Sequence, residues 1–89
     1  MRVPSYTSRF KKDLKLMVKR GHDSESIKRV IRDLVEEKVL VPKYRDHVLT
    51  GNFKSRRECH IEPDWLLIYR IDESRIIFER TGTHSDLFE

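Results

Sequence analysis

In the first half of the chain the apolar positions recur at helical spacing; after Pro42 they alternate or run together. Ile27, Val30, Ile31, Leu34 and Val35 fall at i, i+3, i+4, i+7 and i+8, which is one face of an amphipathic helix. Phe10, Leu14, Met17 and Val18 put a similar stripe on a preceding helix that runs to Arg20. Thr7 or Ser8 supplies its cap, and Gly21 stands where a helix end wants a residue at positive φ. Asp23 or Ser24 caps the second helix. Ahead of both, residues 2–6 suit a short strand, which Pro4 confines to a sheet edge because proline has no N–H for a ladder.

The period then changes from helical to alternating. His47 to Thr50 is a short extended run closed by Gly51-Asn52. Over residues 53–61, Phe53, Ser55, Arg57, Cys59 and Ile61 share one face, and Lys54, Arg56, Glu58 and His60 share the other. Glu62-Pro63-Asp64 forms a turn, since proline presets φ and aspartate bonds its own backbone. Residues 65–71 are apolar on both faces, the pattern of a central strand covered on both sides. Asp72-Glu73-Ser74 turns the chain again into a strand from Arg75 to Thr81. Short turns between consecutive strands predict an antiparallel sheet with the helical hairpin on one face: an α+β domain spanning residues 1–89.

Composition narrows the class. The chain is 37% apolar and 38% charged, too charged for a membrane span and too apolar for a disordered segment. Its longest apolar run, Trp65-Leu66-Leu67-Ile68-Tyr69, is far short of the ~20 residues a spanning helix needs. Residues 1–13 contain no apolar stretch of the kind a secretory signal requires, so a cytoplasmic protein is expected. Cys59 is the only cysteine, which excludes an intrachain disulfide and suits a reducing compartment. No cysteine pair or HExxH spacing suggests zinc, and no cofactor motif stands out. The net charge of +4 is uneven: residues 1–43 hold 12 basic and 6 acidic side chains, residues 44–89 hold 7 and 9. A polyanion suits such a basic half, although on charge alone a solvated helix face has the edge as an explanation.

The polar residues of the second half carry the chemistry. His47 opens one strand and His60 closes the next; Asp64 follows in the turn, and Arg80 and His84 leave the last strand. In an antiparallel sheet these ends can converge on one rim. Cleaving RNA without a metal means taking a proton from a 2′-hydroxyl, stabilising a phosphorane and protonating the departing 5′-oxygen. Histidine moves protons near neutral pH, aspartate acts as base or orients an imidazole, and arginine offers a planar fork of donors to phosphate. Phe88 or Trp65 can stack on an unpaired base, and Lys54 and Arg56 share His60's face as substrate-side cations. Each has a plainer role when taken singly. His47 suits a loop, Asp64 a Pro-Asp turn, Trp65 the core, and Phe88 a core gap behind a last helical turn from Ser85. Arg80 suits a surface pair with Glu79 or Glu58. Their joint occurrence favours a site. One conflict stands: simple alternation places Arg80 on the packed face of Ile76 and Phe78 unless a bulge or an end-on exit frees it.

HVLTG at 47–51, RECHIEPDWLLIY at 57–69 and FERTGTHSDLF at 78–88 together resemble the YafQ branch of the RelE/ParE toxin superfamily, the toxins of bacterial type II toxin–antitoxin pairs. The likeness covers most of residues 44–88; the first 43 residues match in pattern only. It implies a RelE-like microbial ribonuclease fold, with two helices on a twisted antiparallel sheet. It also implies a metal-independent endoribonuclease that cuts messenger RNA in the ribosomal A site. By the resemblance, His84 is the general acid, Arg80 the phosphate stabiliser and Phe88 a nucleotide platform with Trp65 beside the site. His60, Asp64 and His47 share activation of the 2′-hydroxyl or orientation of the RNA. The implied partners are a DinJ-like antitoxin, ribosomal RNA, and operator DNA through the antitoxin complex alone, with no membrane. The competing readings are a non-catalytic, ParE-like toxin acting on gyrase, or a module kept for binding nucleic acid or antitoxin. Removing residues 84–89 is expected to abolish cleavage and leave most of the sheet folded.

Overall fold

The computed structural model describes residues 1–49 and 55–88. β1 (Val3–Tyr6) leads into α1 (Ser8–Lys19) and α2 (Ser24–Val35). A 3-10 turn at Pro42–Tyr44 precedes β2 (His47–Val48), β3 (Arg57–Glu62), β4 (Trp65–Asp72) and β5 (Arg75–Gly82), and α3 (His84–Phe88) follows. The helix ends obey their capping residues. Thr7 Oγ1 accepts the Phe10 N–H, and Asp23 accepts that of Glu25. Gly21, at φ 99°, closes α1: the His22 N–H reaches the Met17 carbonyl at 3.1 Å and the Gly21 N–H reaches Val18 at 3.0 Å. Val18 itself is 45% exposed, so the buried stripe of α1 is narrower than its apolar pattern.

The strand order is β1-β5-β4-β3-β2. β2 to β5 pair antiparallel as expected, but β1 lies parallel to β5, from Val3 opposite Arg75 to Tyr6 opposite Phe78. The sheet is therefore mixed, because two helices separate β1 from the later strands and the chain crosses over instead of folding back as a hairpin. Pro4 does sit on an edge strand. β3 starts at Arg57, not at residue 53, since Ser55 takes a left-handed turn at φ 73°. Thr50 to Lys54, with the expected Gly51-Asn52 turn, lie outside the described residues.

One face of the sheet carries the main core. Cys59, Leu67, Tyr69, Ile76 and Phe78 pack with Phe10, Met17, Ile27, Val30 and Leu34 from the two helices. At ~1.5–3 kcal/mol for each large apolar side chain removed from water, this layer provides most of the driving force for folding. On the other face, among the described residues, Leu66 and Ile68 meet Leu87 of α3 in a smaller cluster, with Leu49 against them.

Candidate active site

Strand register sorts the polar residues by face, because directly paired residues point to the same side. His47 pairs with Glu58, Glu58 with Ile68, and Ile68 with Arg80, so these four form one row across the open face. His60, Leu66 and Gly82 form the next row. Arg80 belongs here because of a bulge: Tyr69 pairs with Phe78 and Ile68 with Arg80, leaving Glu79 as an extra residue in β5. The insertion reverses the parity of the strand and takes Arg80 off the face of Ile76 and Phe78. Thr7 stabilises the irregularity, its hydroxyl donating to the Glu79 carbonyl at 2.9 Å while its N–H reaches Phe78 at 3.2 Å.

Three imidazoles and a phenyl ring run in file beside these rows. Centroid separations are 6.5 Å from His47 to His60, 5.8 Å from His60 to His84 and 6.4 Å from His84 to Phe88. Glu58 anchors the first two. Its buried carboxylate, 7% exposed, lies 3.1 Å from His60 Nε2 and 3.8 Å from His47 Nε2. The other ring nitrogens meet carbonyls: His47 Nδ1 is 2.6 Å from Arg45 O, and His60 Nδ1 is 3.4 Å from Pro63 O. His60 thus has an acceptor beside each ring nitrogen, which fixes the orientation of its ring.

Asp64 partners His84, not His60. One carboxylate oxygen accepts the His84 backbone N–H at 2.9 Å and lies 2.6 Å from His84 Nδ1. That backbone bond, then the imidazole contact, holds the Asp64 carboxyl below its ordinary range. The α3 turn is itself braced. Thr83 Oγ1 accepts the Asp86 N–H at 3.1 Å and Asp86 accepts the Thr83 N–H at 2.9 Å, a reciprocal capping box. Arg20, at the end of α1, adds an ion pair to Asp86 at 2.7 Å. Arg20 first, then the Thr83 N–H, keeps the Asp86 carboxyl well below the usual carboxylate range. Gly82 has to be glycine here, because a Cβ would come within 2.9 Å of the Asp86 side chain.

Arg80 pairs with neither Glu79 nor Glu58. Its Nε lies 2.7 Å and its Nη2 3.3 Å from the Asp13 carboxylate of α1, which also accepts the Thr81 N–H at 3.2 Å. Arg56, on the open face as expected, is tied to Glu79, which Arg70 also approaches at 3.4 Å. Trp65 is a correction: it is fully buried among the helix-side residues, its Nε1 donating to Thr81 Oγ1 at 2.9 Å, and it offers no stacking surface. An indole needs one acceptor when buried, and Thr81 supplies it. Phe88 is 43% exposed beside His84, whereas the neighbouring Leu87 is the core residue of α3. Lys54 lies outside the described residues.

Two residues of the site went unread in the sequence. Glu58 looks like an ordinary exposed member of an alternating strand, and only the pairing with His47 reveals its burial. Asp13 carried a usable signal: it is the one acid of α1 and lies three residues after Phe10 and four before Met17, on the buried stripe. The described residues include no group of three or more His, Cys, Asp or Glu side chains arranged to hold a metal ion. Cys59 is buried, which pushes its thiol upward and removes it as a nucleophile.

Comparison with known proteins gives a consistent picture. A family profile described as "Bacterial toxin of type II toxin-antitoxin system, YafQ" matches residues 2–89. The mRNA interferase toxin YafQ of Escherichia coli K12 is 42% identical over 84 residues, covering 93% of this chain and 91% of that protein. Among solved structures, an E. coli DinJ–YafQ complex superposes with a TM-score of 0.93 at 40% identity, with both chains fully covered. A metal-bound toxin from Helicobacter pylori superposes at 0.92 with 43% identity, over 99% of this chain and all of the other.

Proposed function

The chain belongs to the YafQ family of bacterial type II toxins, and we propose from that premise that it is a ribosome-dependent endoribonuclease. The observation that supports this most is the file of His47, His60 and His84 with Arg80 on the same sheet face, each imidazole provided with a fixed acceptor. In the proposed reaction the 2′-oxygen of a messenger nucleotide loses its proton and attacks the adjacent phosphorus. The bond from phosphorus to the 5′-oxygen breaks, and that oxygen gains a proton, leaving a 2′,3′-cyclic phosphate.

His84 suits the acid. Asp64 receives its Nδ1–H and fixes the ring, so Nε2–H is presented to the leaving oxygen. His60, backed by the buried Glu58, and His47 stand on the other side and accept or steer the 2′-hydroxyl proton. Asp64 is occupied by His84, so base duty falls to the His60–Glu58 pair. Asp13 holds two donors of the Arg80 fork, leaving the rest for a phosphate oxygen. Phe88 provides an exposed ring beside the acid for a base to stack on. These groups perform proton transfer and charge stabilisation with no need of a metal.

The E. coli relative is solved with DinJ, and a DinJ-like antitoxin is the partner we assign to this chain, with operator DNA reached only through that complex. Cytoplasmic action follows from a ribosomal target; no described helix is long and apolar enough to cross a membrane. Primer extension on translating messenger RNA, after expression without antitoxin, tests the reading. Cuts at A-site codon positions are expected, and an Arg80→Ala chain should lower cutting about 100- to 1,000-fold. Growth arrest by wild type with uncut messenger would point to a gyrase-type toxin. Cleavage that a chelator abolishes while the ribosomes remain intact would refute metal independence.

A further inference from the structure

A second feature adjoins the imidazole file from the other side. A cavity of about 420 Å³ opens between α2, the 3-10 turn and the end of β3. That volume lies within the ~300–1,000 Å³ typical of small-molecule sites. Arg29 of α2 and Lys43 and Arg45 of the turn line it, with Tyr44 and His60. Arg29, Lys43 and Arg45 have no carboxylate partner among the described ion pairs; Lys43 instead lies 5.1 Å from the centre of the Tyr44 ring. Glu62, also in the lining, is 3.3 Å from His22. The lining thus gathers three exposed cations against one carboxylate, Glu62, and guanidinium and ammonium groups are the donors that phosphate selects.

His60 decides which anion. It forms part of the pocket lining and also lies 5.8 Å from the His84 ring, so pocket and file share a wall. Arg45 reinforces the link, since its backbone, left-handed at φ 47°, presents the carbonyl that His47 Nδ1 meets. A strand threaded past His60 and His84 would therefore enter the pocket with its neighbouring nucleotide. We propose that this cavity is a subsite for the nucleotide flanking the scissile phosphate of the messenger, whose phosphate is held by Arg29, Lys43 and Arg45. The inference rests on the ribonuclease reading above and adds a second point of grip on the same strand. An acidic antitoxin segment would suit the charges too, but nothing would then join the pocket to His60.

The test compares the full-length toxin with an Arg29→Gln/Lys43→Gln double variant on ribosomes carrying a defined messenger. Both positions are exposed, so folding is retained, and thermal melting checks it. The double variant should raise the half-saturating toxin concentration by roughly 10-fold while the maximal cleavage rate changes less than about two-fold. A photoreactive uridine placed next to the cleaved bond of the messenger should crosslink to the peptide containing Lys43 to Arg45. Unchanged half-saturation, or crosslinks from that peptide to ribosomal RNA alone, would overturn the subsite. So would a variant that cuts normally but loses affinity for the antitoxin, which assigns the pocket to that partner. In each of these cases wild-type cleavage persists and the ribonuclease reading stands; wild type that leaves the messenger uncut defeats both.

Discussion

The two faces of the sheet are built on opposite rules. The helix-covered face is apolar, and its few polar atoms are closed off in local pairs such as Trp65 Nε1 with Thr81 Oγ1. The open face has a small apolar cluster where Leu87 of α3 meets Leu66 and Ile68, and around it Glu58, His47, His60, His84 and Arg80 depend on one another or on distant acids. Glu58 is a buried carboxylate, a group that is costly to desolvate and that here is met by two imidazoles. The difference teaches where stability and function are separated: one layer holds the domain together, and the other keeps costly groups in a fixed array.

The contrast can be broken most sharply by a matched pair of substitutions. Leu67→Ala, on the helix side, should cost ~2–5 kcal/mol in urea unfolding and leave the folded fraction fully active. His84→Ala should do the reverse, lowering cleavage by about 100- to 10,000-fold with stability within ~0.5 kcal/mol of wild type. If both substitutions act on both readouts, the two faces are not separable. Glu58→Gln is an intermediate case, since it keeps the shape and removes the charge. Cleavage should fall about 10-fold through kcat, because His60 loses its ionic anchor, while antitoxin binding is unchanged. The smallest effect belongs to Asp86. Its carboxyl is depressed by Arg20 and the Thr83 N–H, so its stabilisation is complete above the ordinary value of about 4 and is lost as pH falls through the lower folded-state value. Asp86→Asn should therefore lower Tm by about 3 °C or less at neutral pH, with the gap closing in acid.

The helices and the three long strands were legible because each has a local signature: a cap, a period or a turn. What escaped was set by partners far away in the chain. No feature of residues 3–6 says that they will pair parallel with residues 75–78, since two helices intervene. The bulge at Glu79 leaves no mark in an otherwise regular strand, so alternation alone put Arg80 on the wrong face. His47, His60, Arg80 and His84 were readable as a set because imidazoles and a guanidinium are unusual on a sheet face. Their acids were not: in sequence Asp64 groups with His60 and His47, yet it is bonded to His84, while Asp13 and Glu58 passed for surface charges. Trp65 stood next to the right residues, but its strand parity turns it inward. Truncation at residue 84 also looks less benign than the sequence suggested, because Leu87 fills the open-face cluster and Asp86 ties α3 to α1.

The parallel pairing of β1 with β5 has a consequence for synthesis. The first strand of the chain has no partner until the last has been made, and Asp13 and Arg20 wait equally long for Arg80 and Asp86. A nascent chain thus remains on its ribosome with an unfinished sheet and Arg80 not yet added. Only once β5 and α3 have left the exit tunnel can β1, Asp13 and Arg20 meet their partners, so the sheet and the proposed site are completed in one event.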